Sequence, residues 1–133
     1  MTLVVDASFV VAALLDSGPD GRWAEQLLLS NDLVAPHLMP VEAANILRLA
    51  ARNGDISEDN ASLAHADLLA LSVELFAYEP LASRVWELRA NVTAYDALYV
   101  ALAEALDLTL ATLDARLTRA PGPSCRFSTP PTR

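Results

Sequence analysis

Lysine is absent from this sequence of 133 residues, and all nine basic residues are arginine. The 17 acidic residues outnumber them, which gives a formal net charge of −8 at neutral pH. This balance counts against nucleic-acid binding, because phosphate contacts dominate the affinity for nucleic acids. Divalent cations bound by some of the acids would reduce the repulsion, and arginine suits bidentate phosphate contacts.

Cysteine, glycine and long apolar runs are also scarce. The single cysteine, Cys125, excludes an internal disulfide and gives no reason to expect an oxidising compartment. Apolar residues make up 53% of the chain, which is typical of a globular protein. No apolar run approaches the roughly 20 residues that span a bilayer, and Asp6 interrupts the apolar N-terminus. We therefore expect a cytoplasmic protein without membrane contact, folded as a single domain over residues 1–133.

Short apolar strands alternate with longer helices along the chain. The predicted strands are Thr2–Val5, Leu33–Ala35, Val73–Ala77, Thr109–Ala111 and an edge strand at Cys125–Ser128. The predicted helices are Ser8–Leu15, Gly21–Leu29, one from Pro40 to Asn53-Gly54, one from Ser57 past Leu69, Leu81–Leu88, one from Thr93 to near Asp107, and a short turn at Ala115–Thr118. This alternation predicts a three-layer α/β domain with a central, mainly parallel sheet.

Four acidic residues lie where predicted strands end or helices begin: Asp6, Glu42, Asp96 and Asp114. Each has an ordinary structural explanation taken alone. Acids at such positions cap helices or interact with the helix dipole, which contributes roughly 0.5–2 kcal/mol. A single acid of this kind therefore indicates no function.

Together, the four acids indicate a metal site. Sites in parallel sheets form beyond the carboxyl ends of the strands, where the following helices also begin. Carboxylates about 4 Å apart would repel each other by roughly 4 kcal/mol at a surface-like dielectric, so a cation is expected among them. Oxygen ligands of this kind favour Mg²⁺ or Mn²⁺. Ser8 and Thr112, each two residues from an acid, are suitable to hydrogen-bond the ligands or bind a water molecule.

Four segments carry a resemblance to a known family: VVDASFVVAALL around Asp6, PHLMPVEAANILR around Glu42, TAYDALYVALAEAL around Asp96 and LATLDARL around Asp114. In this order and spacing the chain resembles the PIN-domain ribonucleases, specifically the VapC-type toxins of bacterial toxin–antitoxin pairs. The resemblance extends over about Leu3–Pro130. It implies a Mg²⁺- or Mn²⁺-dependent endoribonuclease that hydrolyses RNA phosphodiesters with a metal-activated water. It also implies a homodimer and a cognate VapB-type antitoxin.

The same resemblance implies that the four acids are the catalytic residues and the metal ligands. We expect Asp6 and Asp96 to bind the metal directly, and Asp114 to bind it directly or through water. Glu42 is expected either to bind the metal or to orient the attacking water. Thr112 matches the Ser or Thr that this family often carries near the last acid.

Two other functions remain open. One is a non-catalytic PIN-like module that binds RNA or protein and keeps its acids for folding. The other is a metal-dependent phosphatase of the haloacid-dehalogenase type. Such enzymes usually need Asp-x-Asp after the first strand, whereas this chain has Ser8 in place of the second aspartate. An antitoxin segment is expected to bind the Leu- and Ala-rich helices Val41–Arg52 and Ser57–Leu71. Such antitoxins often insert an arginine into the acidic site.

Histidine and cysteine offer no competing site. His37 and His65 lack an evident partner for acid–base catalysis, and Cys125 has no accompanying histidine. Arg116, near Asp114, could contact phosphate, but a solvated surface position is the expectation. Three aromatic residues that could stack on bases are expected instead to pack in the core or at a partner interface: Trp23, Trp86 and Tyr99.

Overall fold

Strands and helices alternate along the chain as the sequence predicts. The computed structural model describes residues 1–131. Its first half comprises β1 (Thr2–Val5), α1 (Ala7–Leu15), α2 (Pro19–Ser30), β2 (Asp32–Pro36), α3 (Met39–Arg52), α4 (Glu58–Ala70) and β3 (Val73–Phe76). Its second half comprises a 3₁₀ turn (Glu79–Leu81), α5 (Ala82–Glu87), α6 (Ala94–Leu106), β4 (Thr109–Ala111), α7 (Ala115–Arg119) and β5 (Phe127–Ser128).

One five-stranded sheet forms the centre of the fold, in the order β3-β2-β1-β4-β5. All four strand pairs within residues 1–131 are parallel. Strand β1 lies between β2 and β4, so that Leu3 pairs with Leu33 on one side and with Thr109 on the other. Val4 and Val5 are fully buried, as expected of a strand that is covered on both faces.

Helices cover both faces of this sheet. From β1 the chain moves to β2 and β3 in one direction, and it then crosses to β4 and β5 on the other side of β1. Because such crossovers are right-handed, the change of direction places the two sets of helices on opposite faces. Helices α1 to α4 pack against one another, whereas α6 packs on β1, β2 and β4 and against α5. The predicted three-layer α/β architecture is therefore confirmed.

Helix α6 is buried along most of its length, including every residue from Ala97 to Ala103. At its start, the Thr93 hydroxyl accepts a hydrogen bond from the N–H of Asp96 (3.1 Å). At its end, Asp107 adopts the left-handed conformation with φ of 54°. Neither this helix nor any other within residues 1–131 has the length and apolar character needed to cross a membrane.

Some elements differ from the predictions at their ends. Helix α2 begins at Pro19 rather than at Gly21, because proline is favoured at the first helical position. Gly21 lies instead against Asp16, whose carbonyl oxygen would be 1.7 Å from a β-carbon at that position. The edge strand β5 comprises Phe127–Ser128, a shorter segment than the predicted Cys125–Ser128.

Candidate active site

The strand order creates a crevice at one edge of the sheet. Strands β1 and β4 are neighbours, but the chain continues from β1 toward β2 and from β4 toward β5, in opposite directions across the sheet. Ligands of α/β proteins bind at such a switch point, beyond the carboxyl ends of the strands. Asp6 directly follows β1, and Asp114 lies in the loop that follows β4.

A cavity of about 180 Å³ opens at this edge, and we call it the acidic cavity. The structure brings all four predicted acids to it. They come from four separate places in the chain: Asp6 from the β1–α1 junction, Glu42 from the first turn of α3, Asp96 from the first turn of α6, and Asp114 from the N-cap of α7. The other lining residues are Ala7, Ser8, Ile46 and Tyr99.

Asp6 is the most fully enclosed of these acids, with 8% of its surface exposed. Its Oδ1 accepts hydrogen bonds from the N–H of Phe9 (2.9 Å) and from the hydroxyl of Ser8 (2.7 Å), so the side chain caps α1. Its Oδ2 accepts a hydrogen bond from the hydroxyl of Thr112. These three bonds fix the orientation of the carboxylate at the end of β1.

Ser8 and Thr112 connect the two loops that form the site. Thr112 is fully buried, donates to Asp6, and accepts a hydrogen bond from the N–H of Asp114 (3.0 Å). Ser8 donates to Asp6 and accepts from the N–H of Leu113 (3.3 Å). Each hydroxyl therefore joins the loop after β1 to the loop after β4, which holds the two acids in a fixed relation.

Tyr99 is a site residue whose role the sequence did not reveal. It is buried on α6, and its hydroxyl donates a hydrogen bond to Oε1 of Glu42. Tyr99 lies three residues after Asp96, so both side chains can lie on the same side of the helix. This spacing from a predicted site residue was the one sequence feature that could have indicated Tyr99 as part of the site. The sequence separation of 57 between Tyr99 and Glu42 leaves no local pattern that would identify the pair.

Asp114 interacts mainly with the helix that follows it. Its Oδ1 accepts from the N–H groups of Arg116 (2.9 Å) and Leu117 (3.3 Å), and it thereby caps α7. The Nε of Arg116 lies 3.7 Å from the same oxygen, but this guanidinium is 90% exposed and so provides weak compensation.

Burial and mutual repulsion raise the pKa of three of the acids. Burial is the largest cause of the raised pKa at Asp6, Glu42 and Asp96. The charge of Asp96 raises the pKa of Asp6 and Glu42 further, and the charge of Asp114 does the same for Asp96. Hydrogen bonds oppose these rises in pKa without cancelling them. The side-chain donors are Thr112 and Ser8 to Asp6, Tyr99 to Glu42, and Thr93 to Asp96.

The residues around the acidic cavity suit a divalent cation in the chemistry of their donors. The acidic cavity is lined by four carboxylates and by the hydroxyls of Ser8 and Tyr99, and all of these are hard oxygen ligands. A bound cation would also reverse the electrostatic cost that raises the pKa values. As the side chains stand, however, no three acids, histidines or cysteines within residues 1–131 are grouped closely enough to hold a metal ion. A Mg²⁺ ion is commonly held by only one or two carboxylates together with water molecules, and these acids could supply that number.

The other residues considered from the sequence lie away from this cavity. His37 is exposed after β2, and His65 is exposed on α4 beside a separate surface cavity. Burial raises the pKa of the Cys125 thiol to about 11, so this group is uncharged at neutral pH. The two tryptophans are also elsewhere, Trp23 packing edge-to-face on a core ring and Trp86 exposed on α5.

The comparisons with known proteins all indicate the same family. The family model of the PIN domain matches residues 3–123. Ribonuclease VapC1 of Mycobacterium tuberculosis is 45% identical over 125 residues, which cover 93% of this chain and 94% of that protein. VapC ribonuclease Mb0985 of Mycobacterium bovis is 40% identical over 129 residues, which cover 97% of this chain and 98% of that protein.

Solved structures show the same fold at lower sequence identity. FitAcB from Neisseria gonorrhoeae superposes with a TM-score of 0.71 at 17% identity, covering 96% of this chain and 97% of that one. VapBC2 from Rickettsia felis, bound to a DNA fragment from the promoter, gives a TM-score of 0.67 at 15% identity, with 97% and 98% covered. Together with the sequence matches, these findings show that the chain belongs to the PIN-domain family, within its VapC group.

Proposed function

We propose that this protein is an endoribonuclease that hydrolyses RNA phosphodiesters and acts as the toxin of a VapBC-type toxin–antitoxin pair. The observation that carries the proposal is the meeting of four acids, from separate parts of the chain, at the switch point of a parallel sheet. Relatives that are 40% and 45% identical over nearly the whole chain are named ribonucleases, which supports the same conclusion.

We further propose Mg²⁺ or Mn²⁺ as the cofactor. Asp6 and Asp96 would bind the ion directly, and Asp114 would bind it directly or through water. A divalent ion held there lowers the pKa of a bound water and neutralises charge on the phosphoryl oxygens. The raised pKa values of Asp6 and Asp96 support the proposal, because burial and neighbouring acids disfavour their charged forms and a bound cation would offset both effects.

We assign to Glu42 the positioning of the attacking water. Its pKa is raised by burial and by the charges of Asp96 and Asp6, which brings it closer to neutral pH, where a general base is most effective. Tyr99 donates to Oε1 of Glu42, so Oε2 is the oxygen that we assign to the water. The carboxylate of Asp6 is held in its orientation by the hydrogen bond from Ser8 and by the other donors described above.

Mapping of RNA 5′ ends after pulsed expression tests the activity in cells. Wild-type protein is expected to produce new 5′ ends that Asp6→Asn and Asp96→Asn do not produce. Purified wild-type protein should generate the same ends only with Mg²⁺ or Mn²⁺ present. Thermal unfolding of both variants checks that they are folded. Identical RNA ends for the wild type and the Asp96→Asn variant would contradict the proposal.

A non-catalytic PIN-like module is the second candidate. It is favoured by one observation, namely that no three acids within residues 1–131 are grouped as metal ligands in the present side-chain positions. Such a module would bind RNA or protein and leave the RNA ends unchanged in the same experiment. It would also bind equally well with and without Mg²⁺.

We propose a VapB-type antitoxin as the protein partner, and a homodimer as the state of the toxin. Helices α3 and α4 pack on each other and leave large apolar side chains exposed: Val41 at 66%, Leu63 at 65% and Leu69 at 69%. An amphipathic segment can cover such a surface. The structural neighbours include VapBC2 and FitAB, each bound to a DNA fragment, which supports a partner of this class.

Co-expression with the product of a neighbouring gene tests the partner. We expect copurification and suppression of RNA cleavage, and we expect Leu63→Glu to weaken both. A matched control is Leu106→Glu, since Leu106 is an exposed apolar residue at the end of α6. A neighbouring product that neither copurifies nor suppresses cleavage would overturn this part of the proposal.

A further inference from the structure

A second cavity lies beside the acidic cavity, and two of the acids, Asp96 and Asp114, line both. It has a volume of about 230 Å³ and lies between the segment that leads into α6 and helix α7. We call it the side cavity. Its remaining lining residues are Asn91, Val92, Thr93, Arg116, Leu117 and Ala120.

We infer that the side cavity is a subsite for one unpaired nucleoside of the RNA, next to the phosphate that the acidic cavity receives. The inference rests on the proposed ribonuclease function. The inference is based on the two residues that line both cavities. An RNA strand whose phosphate lies near Asp96 and Asp114 has its neighbouring sugar and base within reach of the side cavity. RNA recognition commonly uses unstacked bases of this kind, splayed out of single strands.

The walls of the side cavity match the two surfaces of a nucleobase. Val92, Leu117 and Ala120 supply apolar surface for the face of the ring. Asn91 supplies an amide with both a donor and an acceptor, which suits the edge of a base. The volume is below the roughly 300–1,000 Å³ of pockets that enclose drug-sized ligands, so it suits one base or ribose rather than an oligonucleotide.

The charge of the side cavity also favours a nucleotide. Arg116 is the one basic residue within residues 1–131 that lines either cavity, and its side chain is 90% exposed. Its only ion pair within residues 1–131 is the 3.7 Å contact with Asp114, so this largely exposed guanidinium can also contact a phosphate or stack on a base. The same charge disfavours entry of an arginine-rich protein segment, for which the acidic cavity is the better site.

Nuclear magnetic resonance titration of the ¹⁵N-labelled wild-type protein in Mg²⁺ tests the subsite without requiring cleavage. The probes are the four nucleoside 5′-monophosphates, with ribose 5-phosphate and inorganic phosphate as comparisons. We expect at least one nucleotide to shift the side-chain amide of Asn91 and the backbone amides of Val92 and Ala120. Asn91→Ala and Arg116→Ala should each weaken that binding about fivefold or more.

The matched control is Arg119→Ala, which removes the same charge from the same helix at an exposed position outside the cavity. It should change nucleotide binding less than about twofold. A second variant, Ala120→Phe, fills the cavity without changing charge and should also weaken binding. In RNA cleavage, Asn91→Ala should change which bases flank the cut sites, whereas Arg119→Ala should leave them as in the wild type.

The outcomes separate this inference from the proposed function. Nucleotide shifts at Asn91 without any RNA cleavage would support the subsite and contradict the ribonuclease. Normal RNA cleavage by wild type, Asn91→Ala and Ala120→Phe at the same sites, with no nucleotide shifts at Asn91, would overturn the subsite and leave the ribonuclease intact. Equal shifts with inorganic phosphate would overturn a base subsite.

Discussion

The two ends of helix α6 hold carboxylates in opposite electrostatic settings. At its start, burial and the charge of Asp114 raise the pKa of Asp96. Eight residues later, about 12 Å along the helix, Glu104 accepts hydrogen bonds from Arg84 at 2.6 and 3.2 Å and from the N–H and hydroxyl of Ser124 at 2.8 and 2.9 Å. Partial burial alone would raise the pKa of Glu104, but these bonds outweigh it and lower the pKa.

Glu104 has a structural role, and its charge is compensated by a neighbouring arginine. Arg84 donates to the carbonyl of Gly122 (2.9 Å) as well as to Glu104, so the pair ties α5 and α6 to the segment that leads to β5. Within residues 1–131, the acids of the acidic cavity lack such compensation, since the guanidinium that pairs with Asp114, that of Arg116, is largely in solvent. We propose that their charges are left available for a divalent cation, which would in turn contact the anionic phosphate of the substrate.

The largest expected effect is a difference in RNA cleavage between substitutions at the two ends of α6. Asp96→Asn should reduce RNA cleavage by about a hundredfold or more, which corresponds to about 3 kcal/mol in the activation barrier, because the substitution removes a proposed direct ligand of the metal. Glu104→Gln should retain cleavage within about twofold. Initial cleavage rates of the purified variants at saturating Mn²⁺ measure both. Equal losses in the two variants would show that the acidic cavity has no special role.

Thr112→Val should have the next largest effect, on stability. The substitution keeps the shape but removes the donor to the buried Asp6 and the acceptor for the N–H of Asp114, which should cost about 1–3 kcal/mol of unfolding free energy. Urea unfolding measures this loss. Thr109→Val is the matched control, since its side chain is half-buried on strand β4, which directly precedes Thr112, and it should cost less than about 1 kcal/mol. A neutral Thr112→Val would show that its hydroxyl does not support the site.

Tyr99→Phe should reduce cleavage about tenfold, or about 1.4 kcal/mol. The hydrogen bond from Tyr99 favours the charged form of Glu42, so its loss should raise the pKa of Glu42 further. If Glu42 acts as the base, the acidic limb of the pH–rate profile should move to higher pH. Tyr95→Phe, on the same helix but 61% exposed, should leave both rate and profile unchanged. An unshifted profile in Tyr99→Phe would assign Tyr99 to packing alone.

The smallest effect concerns the stability of the structural pair. Glu104→Gln should lower the unfolding free energy by about 1 kcal/mol at neutral pH, since a charged acceptor of hydrogen bonds is lost. Because the folded state lowers the pKa of Glu104 below its usual 4.5, its contribution is complete above that value and disappears as pH falls through the folded pKa. Glu87→Gln, at an exposed position 3.9 Å from Arg84, is the control. Equal stability of both variants at all pH values would contradict the assignment.

The acidic cavity should show the opposite dependence on pH. The folded state raises the pKa of Asp96 above its usual 3.8, so ionisation of this residue costs stability as pH rises from that value through the folded pKa. In metal-free urea unfolding, Asp96→Asn should reduce the loss of stability over this range. Saturating Mg²⁺ should do the same for the wild type. An unchanged pH dependence in both cases would contradict mutual repulsion at this site.

Local sequence patterns predicted the strands and helices, and they predicted that the four acids lie at strand ends and helix starts. These features depend on only a few neighbouring residues. The contacts between distant segments could not be predicted in the same way. The hydrogen bond from Thr112 to Asp6 joins residues 106 apart in sequence, and it follows from the adjacency of β1 and β4. The bond from Tyr99 to Glu42 depends likewise on how α6 and α3 meet at the edge of the sheet.

Calorimetric titration of Mn²⁺ into the metal-free protein tests most directly whether the uncompensated acids form a cation site. We predict saturable binding to the wild type and to Glu104→Gln with similar affinity, and a loss of about tenfold or more in Asp96→Asn. Equal Mn²⁺ affinity in all three proteins, or no binding to the wild type, would contradict the assignment of the acidic cavity as a metal-dependent active site.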